Sequence, residues 1–365
     1  MGLYRTLKKQ KSVSSNKIKI GVAGLGRIGW NFHCTQLSAH KDFLLTACAD
    51  PAADRALEAK KTFGAAAYTD FFEMIRSEDL DAVVIAAPTH LHKEMAIAAL
   101  EKNLHVILEK PMALNTAESK SIAAKAKSKK KVLTVYQPHR LAAYYQQMLA
   151  LTKQKTIGKV YWVQRASFNY ARRNDWQSLK KFGGGMLYNY GAHFIDSVMG
   201  IVGYASPIKR IFCDLQRCAS IGDAEDVVKI IIETESGVLA DVSISQASVI
   251  APYDFIIWGT HGAIMLNGLA EGKPVISLKY FKSDTLPAKK LEAQLASTNR
   301  AYPSDTIKYI EKKIPVDQKY QINVFSDFAR AIRTDKKPYI LPEETLCVMS
   351  ILERCEKDSK GISAF

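Results

Sequence analysis

A glycine-rich hexapeptide near the start of the chain constrains the fold more than any other feature of the sequence. Gly24-Leu25-Gly26-Arg27-Ile28-Gly29 matches G-x-G-x-x-G, between a strand pattern at residues 17–23 and a helix pattern at residues 27–38. There, the first glycine permits a tight turn, the second lets the backbone approach a pyrophosphate, and the third lets helix and strand pack closely. The motif alone could be only a tight turn, but its position predicts a dinucleotide-binding unit with the phosphates at the helix N-terminus.

A carboxylate after the second predicted strand bears on the choice of dinucleotide. Asp50 follows a strand pattern at residues 44–49 and comes 21 residues after Gly29. A carboxylate at this point accepts hydrogen bonds from the adenosine ribose hydroxyls and would repel a 2′-phosphate. The sequence therefore favours NAD as the cofactor, while the nearby Arg55 keeps NADP open as the alternative.

Strand and helix patterns alternate through the first part of the chain. An uninterrupted apolar run, typical of a parallel strand buried on both faces, occurs at residues 82–86, and further strand patterns occur at residues 105–108 and 132–136. Helix patterns lie between them, at residues 54–63 and 92–102 and after residue 115. This alternation predicts an α/β protein with an N-terminal Rossmann domain, built on a doubly wound parallel sheet, over residues 18–140.

The pattern changes after about residue 140, where strand follows strand with few helices between. The strand patterns lie at residues 159–170, 208–216, 226–234, 238–247 and 253–259. Glu235-Ser236-Gly237 separates two of them like a hairpin turn, so we expect a large, mostly antiparallel open sheet. We predict a basic disordered tail at residues 1–17 and a C-terminal α/β substrate and oligomerisation domain at 141–365. The helix patterns within residues 321–365 could pack back on the first domain.

The net charge of +15 is concentrated outside the predicted site. Twelve basic residues lie in two acid-free segments, residues 1–19 and 120–131, without interleaved aromatic residues, so no nucleic-acid partner is predicted. No apolar run approaches the roughly 18 residues needed to span a bilayer, so no membrane partner is predicted. Six scattered cysteines favour reduced thiols and a cytoplasmic location. His90 and His92 lack further ligands at metal-binding spacing, so no metal is predicted.

Several further motifs occur in an order that carries a family resemblance. Glu109-Lys110-Pro111 follows a buried strand, and residues 87–92 are similar to a T-P-N-x-x-H loop with Thr89 in place of Asn. Residues 183–196 are similar to G-G-G-x-L-x-D-x-G-x-H-x-x-D, with Asn189 in place of the first Asp. With the glycine motif, these segments resemble the Gfo/Idh/MocA family, which includes glucose–fructose oxidoreductase and inositol dehydrogenase. The likeness runs from about residue 18 to the C-terminus.

The resemblance implies a nicotinamide cleft between a Rossmann domain and a C-terminal domain with a large open sheet. The cofactor-binding residues that it implies are Gly24, Gly26, Arg27, Ile28, Gly29, Asp50, Pro88, Thr89, His92, Glu109 and Lys110. The substrate-binding residues that it implies are Lys110, Arg140, Arg173, Trp176, Asn189 and His193. For Arg140 and the loop with Arg173 and Trp176, a solvated loop with one core tryptophan is an equal alternative.

The resemblance implies that three of these residues are catalytic, namely Lys110, His193 and Asn189. A lysine at this position assists catalysis in the family, and beside the nicotinamide its depressed pKa suits proton transfer. The family's Asp orients the histidine, but Asn189 supplies no charge to raise the pKa of His193. We therefore expect His193 to be a weaker base, Lys110 to take a larger share, and Asn189 to orient the substrate hydroxyl.

The sequence thus predicts an NAD-dependent oxidoreductase that moves a hydride between nicotinamide and a secondary alcohol carbon of a sugar, sugar derivative or cyclitol. A catalytically silent NAD or sugar sensor, or an aldose–aldose oxidoreductase that never releases its cofactor, are the alternatives. The resemblance also implies a homodimer or homotetramer formed through the C-terminal sheet. Val238, Ala240, Val242 and Ile244 fit such an interface, and they equally fit a face covered by the protein's own helices.

Overall fold

The computed structural model describes residues 17–286 and 306–365 and contains two sheets. All but one residue of the predicted N-terminal tail, residues 1–17, lie outside the described residues. Among those described, no helix is long and apolar enough to cross a membrane.

The first sheet has six parallel strands in the order β3-β2-β1-β4-β5-β6. These strands are β1 Ile18–Ala23, β2 Phe43–Ala49, β3 Ala66–Tyr68, β4 Ala82–Ile85, β5 His105–Leu108 and β6 Leu133–Val135. A π-helical turn at Gly29–Cys34 leads into the first of its helices, which are α1 Thr35–Ser38, α2 Ala53–Phe63, α3 Phe71–Ser77, α4 His92–Glu101 and α5 Thr116–Ser128. The sheet is the doubly wound Rossmann sheet that the alternating pattern predicts.

Local sequence accounts for these elements. All four residues of β4 are buried, as expected for a central parallel strand covered on both faces. The side chain of Asn115 accepts a hydrogen bond from the backbone N–H of Glu118 and so caps α5, as that of Asp70 caps α3. Because the strands are parallel, the glycine turn after β1 and the loop after β5 emerge at the same, carboxyl edge of the sheet, where ligands of such sheets bind.

The second sheet has nine strands in the order β14-β13-β12-β11-β7-β10-β9-β8-β15, and most neighbours are antiparallel. These strands are β7 Val160–Phe168, β8 Ile208–Arg217, β9 Val227–Thr234, β10 Leu239–Ser245, β11 Phe255–Gly259, β12 Gly262–Asn267, β13 Val275–Tyr280, β14 Ile310–Pro315 and β15 Ser363–Ala364. Its helices are α6 Pro138–Leu141, α7 Ala143–Lys153 and α8 Ala192–Val202, followed late in the chain by α9 Val324–Thr334 and α10 Pro342–Asp358. The predicted large, mostly antiparallel sheet is confirmed.

One face of this sheet is covered by the protein's own helices. Ala240, Val242 and Ile244 of β10 are buried in the same core cluster as Phe194 and Val198 of α8. They therefore belong to the core and do not form a surface for a partner, which decides between the two interpretations of this apolar pattern. The opposite face of β10 carries Asp241 and Ser243 instead.

The two C-terminal helices lie against the first domain. Phe325 and Phe328 of α9 are fully buried in a cluster with Leu37 and Phe43. Helix α10 packs on α5 of the Rossmann domain and on α8 and β8 of the second domain. The end of the chain therefore holds together the two units that form the cleft.

Replacing Phe325 by Ala should destabilise the protein by about 3–5 kcal/mol, because it removes a fully buried ring that stacks on Phe32 and packs edge-on against Phe43. Urea unfolding followed by circular dichroism measures this loss. The exposed Thr334→Ala, at the end of the same helix, should change stability by no more than about 0.5 kcal/mol. Equal stability of the two variants would contradict the packing described for α9.

Candidate active site

The glycine turn has the shape of a pyrophosphate cradle. Gly24 has φ of +89°, and a Cβ at Gly29 would overlap the carbonyl oxygen of Gly24, so these two positions require glycine for the backbone itself. A Cβ at Gly26 would meet nothing within 4 Å, so this glycine leaves open space at the helix N-terminus. These glycines fit a dinucleotide, because the space without a side chain at Gly26 is where a pyrophosphate would lie at the helix N-terminus.

A cavity of about 770 Å³ extends from this turn along the carboxyl edge of the Rossmann sheet. We call it the dinucleotide cavity or cofactor cavity. Of the predicted cofactor-binding residues, those that line it are Gly24, Gly26, Arg27, Ile28, Asp50 and Pro88. Asp50 is fixed there by two backbone donors, since Oδ2 accepts from Leu25 N at 2.7 Å and Oδ1 from Ala52 N at 3.0 Å. The guanidinium of Arg55 lies 3.9 Å from the same carboxylate and lines the same cavity.

A second cavity of about 290 Å³ adjoins the first and lies between the two domains. Of the predicted site residues, those that line it are Arg27, Ile28, Thr89, Glu109, Lys110, Arg173, Trp176, Asn189 and His193. We call this cavity the cleft. It brings together all three predicted catalytic residues.

Lys110 occupies the cleft at the end of β5, and Asn189 from the second domain holds it. Its ammonium nitrogen Nζ lies 2.9 Å from the backbone oxygen of Asn189 and 2.8 Å from Oδ1 of the same residue. Burial lowers the pKa of Lys110 to about 8, and the charges of Arg173 and Arg27 act in the same direction, while Glu109 opposes them. With its pKa this close to neutral pH, the amine can either donate or accept a proton.

Glu109 and His33 form a buried pair behind Lys110. Glu109 Oε1 lies 2.8 Å from His33 Nε2, and Oε2 accepts from the backbone N–H of Lys110 at 3.2 Å. No sequence pattern pointed to His33, because its contact spans 76 residues from the first helical segment to the end of β5. The carboxylate next to the lysine is therefore engaged by the protein itself.

His193 lies in the first turn of α8, with its ring against the cleft. Its Nδ1 is 2.7 Å from Oε1 of Gln137, which follows β6, and its ring packs edge-on against that of His139. Burial lowers the pKa of His193 well below its ordinary value, and Lys110, His139 and Arg165 lower it further. Asn189, although four residues earlier, bonds to Lys110 and does not hold this ring.

The loop that carries Arg173 and Trp176 spans both cavities. Arg173 pairs with Asp175, and Gln177 accepts a hydrogen bond from Nδ2 of Asn189 at 3.1 Å. A continuous polar chain therefore runs from Gln177 through Asn189 to Lys110. Gln177 was not predicted, since its role depends on the partner that the fold places beside it.

His92, predicted to bind the cofactor, has partners within the protein. This residue is buried and lines neither the cleft nor the cofactor cavity. Its ring nitrogens lie 3.0 Å from the carbonyl oxygen of Pro111 and 2.8 Å from that of Ala87. His92 therefore ties the loop after β4 to the loop after β5.

Arg140, predicted to line the substrate cleft, lies in a buried ion-pair network. Its guanidinium is buried between Asp196, at 3.5 Å, and Glu344, at 2.8 Å, with the ring of Tyr204 alongside. Arg140 is not among the residues that line the cleft. These contacts make Arg140 a link between α6, α8 and α10, and they give Asp196 a structural role.

Comparison with known proteins agrees with this geometry. Residues 18–137 match the oxidoreductase family model with an NAD-binding Rossmann fold, and residues 145–265 match the GFO/IDH/MocA C-terminal domain. The chain belongs to the Gfo/Idh/MocA family. Among the described residues, no group of three or more His, Cys, Asp or Glu side chains could hold a metal ion.

Named relatives of this family member include inositol dehydrogenases. A myo-inositol 2-dehydrogenase from Thermotoga maritima is 27% identical over 268 residues, which cover 71% of this chain and 78% of the relative. The NAD(+) form of scyllo-inositol 2-dehydrogenase from Bacillus subtilis is 24% identical over 74% of this chain and 80% of its own length. An NADP(+) form from the same organism is 44% identical over 94 residues, 26% of this chain and 29% of that protein. The relatives thus include both cofactor types.

A solved structure has the same fold over nearly the whole chain. The NAD-binding protein from Listeria innocua superposes with a TM-score of 0.76 over 94% of this chain and 95% of that one. The two sequences are 23% identical, so the likeness concerns the fold alone.

Gly26→Ala and Gly29→Ala should separate cofactor binding from folding. Gly26→Ala should leave the melting temperature nearly unchanged but weaken dinucleotide binding at least about tenfold, because its methyl group projects into open space at the helix N-terminus. Gly29→Ala should lower the melting temperature, because its methyl group meets the Gly24 carbonyl. Calorimetric titration with NAD and thermal unfolding measure the two effects. Undiminished NAD binding by Gly26→Ala would contradict the predicted site.

Proposed function

We propose that this protein is an NAD-dependent dehydrogenase that acts on a secondary alcohol carbon of a sugar, sugar derivative or cyclitol. The observation that carries the proposal is the position of Lys110, whose amine is held by Asn189 in a cleft that adjoins the dinucleotide cavity. When bound, the nicotinamide accepts or donates the hydride, and the protein supplies the positions and the proton. Glycine turn and Asp50 would hold the nucleotide, and Lys110, Asn189 and His193 would face the substrate.

The hydrogen-bond geometry of Lys110 supports its assignment as the proton-transfer group. A neutral amine has two N–H groups and one lone pair, whereas an ammonium has three N–H groups. Asn189 accepts two of these hydrogens, one at its backbone oxygen and one at Oδ1. The third position is left for the substrate. As a lone pair it takes the hydroxyl proton during oxidation, and as an N–H it donates to the carbonyl oxygen during reduction.

A polyhydroxylated substrate suits the remaining lining of the cleft. The side chains of His193, Asn189 and Gln177 offer hydrogen-bonding groups, and Trp176 offers an aromatic face at the rim. Small polar cavities of this type orient a ligand with a few placed groups. The inositol dehydrogenases among the relatives support this substrate class.

NAD is the cofactor that we propose, with NADP as the alternative. The fixed carboxylate of Asp50 lies in the dinucleotide cavity, where it would accept hydrogen bonds from ribose hydroxyls and repel a 2′-phosphate. Arg55, at 3.9 Å from this carboxylate, is the group that could instead accommodate the phosphate.

We also propose a homodimer or homotetramer formed through the second sheet. The face not covered by helices carries Trp162 and Trp258, whose rings stack, with Ile256 and Met265 nearby.

We propose a cytoplasmic location as well. All six cysteines are free thiols, which fits this location. The oligomer is tested separately. Light scattering of the purified chain measures the oligomeric state.

The proposed reaction is tested with a panel of sugars, sugar acids and inositols, offered with NAD and NADP in parallel and followed by the absorbance of reduced nicotinamide. At least one polyol should be oxidised, and more efficiently with NAD. Lys110→Ala should lower kcat by about 10²–10⁴-fold while NAD binding stays nearly unchanged. Full activity of Lys110→Ala would refute the assignment, and NAD binding without turnover of any polyol would favour a sensor.

The pH dependence should follow Lys110. Oxidation needs the neutral amine, so its rate should rise with pH through about 8, whereas reduction needs the ammonium and should decline above the same pH. Asn189→Asp places a carboxylate beside Nζ, which stabilises the ammonium and should move both limbs to higher pH. Asn323→Asp makes the same charge change at the cap of α9 and should leave the profile unchanged. A profile that Asn189→Asp does not move would rule out Lys110 as the titrating group.

A further inference from the structure

The ring of His193 is held by a glutamine from the other domain. Gln137 is 1% exposed and His193 is 7% exposed, and 2.7 Å separates Oε1 of the first from Nδ1 of the second. Gln137 follows β6 at the same sheet edge from which Lys110 emerges after β5. The contact is therefore a buried hydrogen bond that fixes the ring across the cleft.

In the orientation that the structure shows, with Oε1 of Gln137 towards the ring, this hydrogen bond sets which ring nitrogen carries the proton. An amide oxygen can only accept, so Nδ1 must carry the hydrogen, and Nε2 of the neutral ring keeps its lone pair. Within residues 17–286 and 306–365, Nε2 of His193 has no hydrogen-bond partner, and the ring lines the cleft. His193 thus presents an acceptor to whatever the cleft binds. The reversed amide would place the proton on Nε2, so the two orientations of Gln137 predict opposite tautomers.

The groups that face the ring favour its neutral form. They are Lys110 at the end of β5, His139 in α6 and Arg165 in β7, and burial acts in the same direction. Among the described residues, no carboxylate forms a hydrogen bond or ion pair with this ring. A protonated imidazole here would be buried beside cations without a counter-charge, which is strongly unfavourable.

We infer that Gln137 is a positioning residue that holds His193 as a neutral hydrogen-bond acceptor, with Nε2 directed to a substrate hydroxyl. Lys110 then moves the proton, and His193 orients the hydroxyl that reacts or one next to it. This catalytic consequence rests on the proposed function. The tautomer of the ring does not, because it is a property of the protein without substrate.

Nuclear magnetic resonance of the full chain labelled with [15N]histidine reports the tautomer directly. The chain has eight histidines, and the signal that disappears in His193→Gln identifies this ring. His193 should carry its proton on Nδ1, and its pKa should lie well below that of an ordinary histidine. A proton on Nε2, or an imidazolium at neutral pH, would overturn the inference whether or not any substrate is found.

Two variants test the part of Gln137. Gln137→Met removes the acceptor at similar volume and should shift the population toward the Nε2-protonated tautomer. Gln137→Glu can only accept, so it should keep the proton on Nδ1 and raise the pH at which the ring titrates. Gln147→Met removes a different buried glutamine, bonded to Pro315 and Asp317, and should leave the His193 signals unchanged. Signals of His193 that no Gln137 variant alters would refute the assignment.

Kinetics separate positioning from a purely structural role. With a polyol that the panel identifies, Gln137→Met should lower kcat about tenfold or more and leave the KM for NAD nearly unchanged. Gln137→Glu should retain most of the activity of the parent protein, because it keeps the same tautomer. Loss of activity in Gln137→Glu at a pH where its His193 ring is still neutral and protonated on Nδ1 would show that His193 does not act as an acceptor.

Discussion

The cleft depends on one interaction, the hydrogen bonds that Asn189 of the second domain makes to the amine of Lys110 in the first. A lysine amine partly removed from water loses much of its preference for the charged form, and two neutral oxygens restore less of it than a carboxylate would. The amine is therefore held in place without being fixed as an ammonium. This state requires that both domains keep their mutual position to within a hydrogen bond.

Several buried contacts maintain that position. Helix α10 packs on both domains, and Arg140 joins α6 to Asp196 of α8 and to Glu344 of α10. His92 ties the loop after β4 to the loop that follows Lys110. These residues touch neither cavity, yet they determine where the cleft residues stand. An arginine or histidine near the cleft can therefore serve to hold the surrounding elements together and need not contact a ligand.

Charge in the cleft follows a consistent rule. The carboxylate next to Lys110, that of Glu109, is engaged by His33, and the groups that hold Lys110 and His193 are the amides of Asn189 and Gln137. Burial displaces the pKa values of both the lysine and the histidine downward, and the charge of Glu109 opposes this only in part at Lys110. The pKa of Lys110 is left near neutral pH, and His193 is left uncharged. Lys110 can therefore transfer the proton while His193 accepts a hydrogen bond from a hydroxyl.

By itself, the sequence determined the parts of this protein that depend on local patterns. The glycine motif, the apolar runs and the change after residue 140 predicted both sheets, because turn geometry, helix capping and strand burial are properties of neighbouring residues. The family resemblance, carried by the further motifs, pointed to Lys110, Asn189 and His193, which the fold brings into one cleft. Only the tertiary structure decided which partner each of them has. Gln137, Gln177 and His33 reach the site from distant segments, whereas Arg140 and His92 line neither cavity. Sequence patterns do not give these outcomes, because hydrogen bonds and ion pairs form between groups that packing brings close in space.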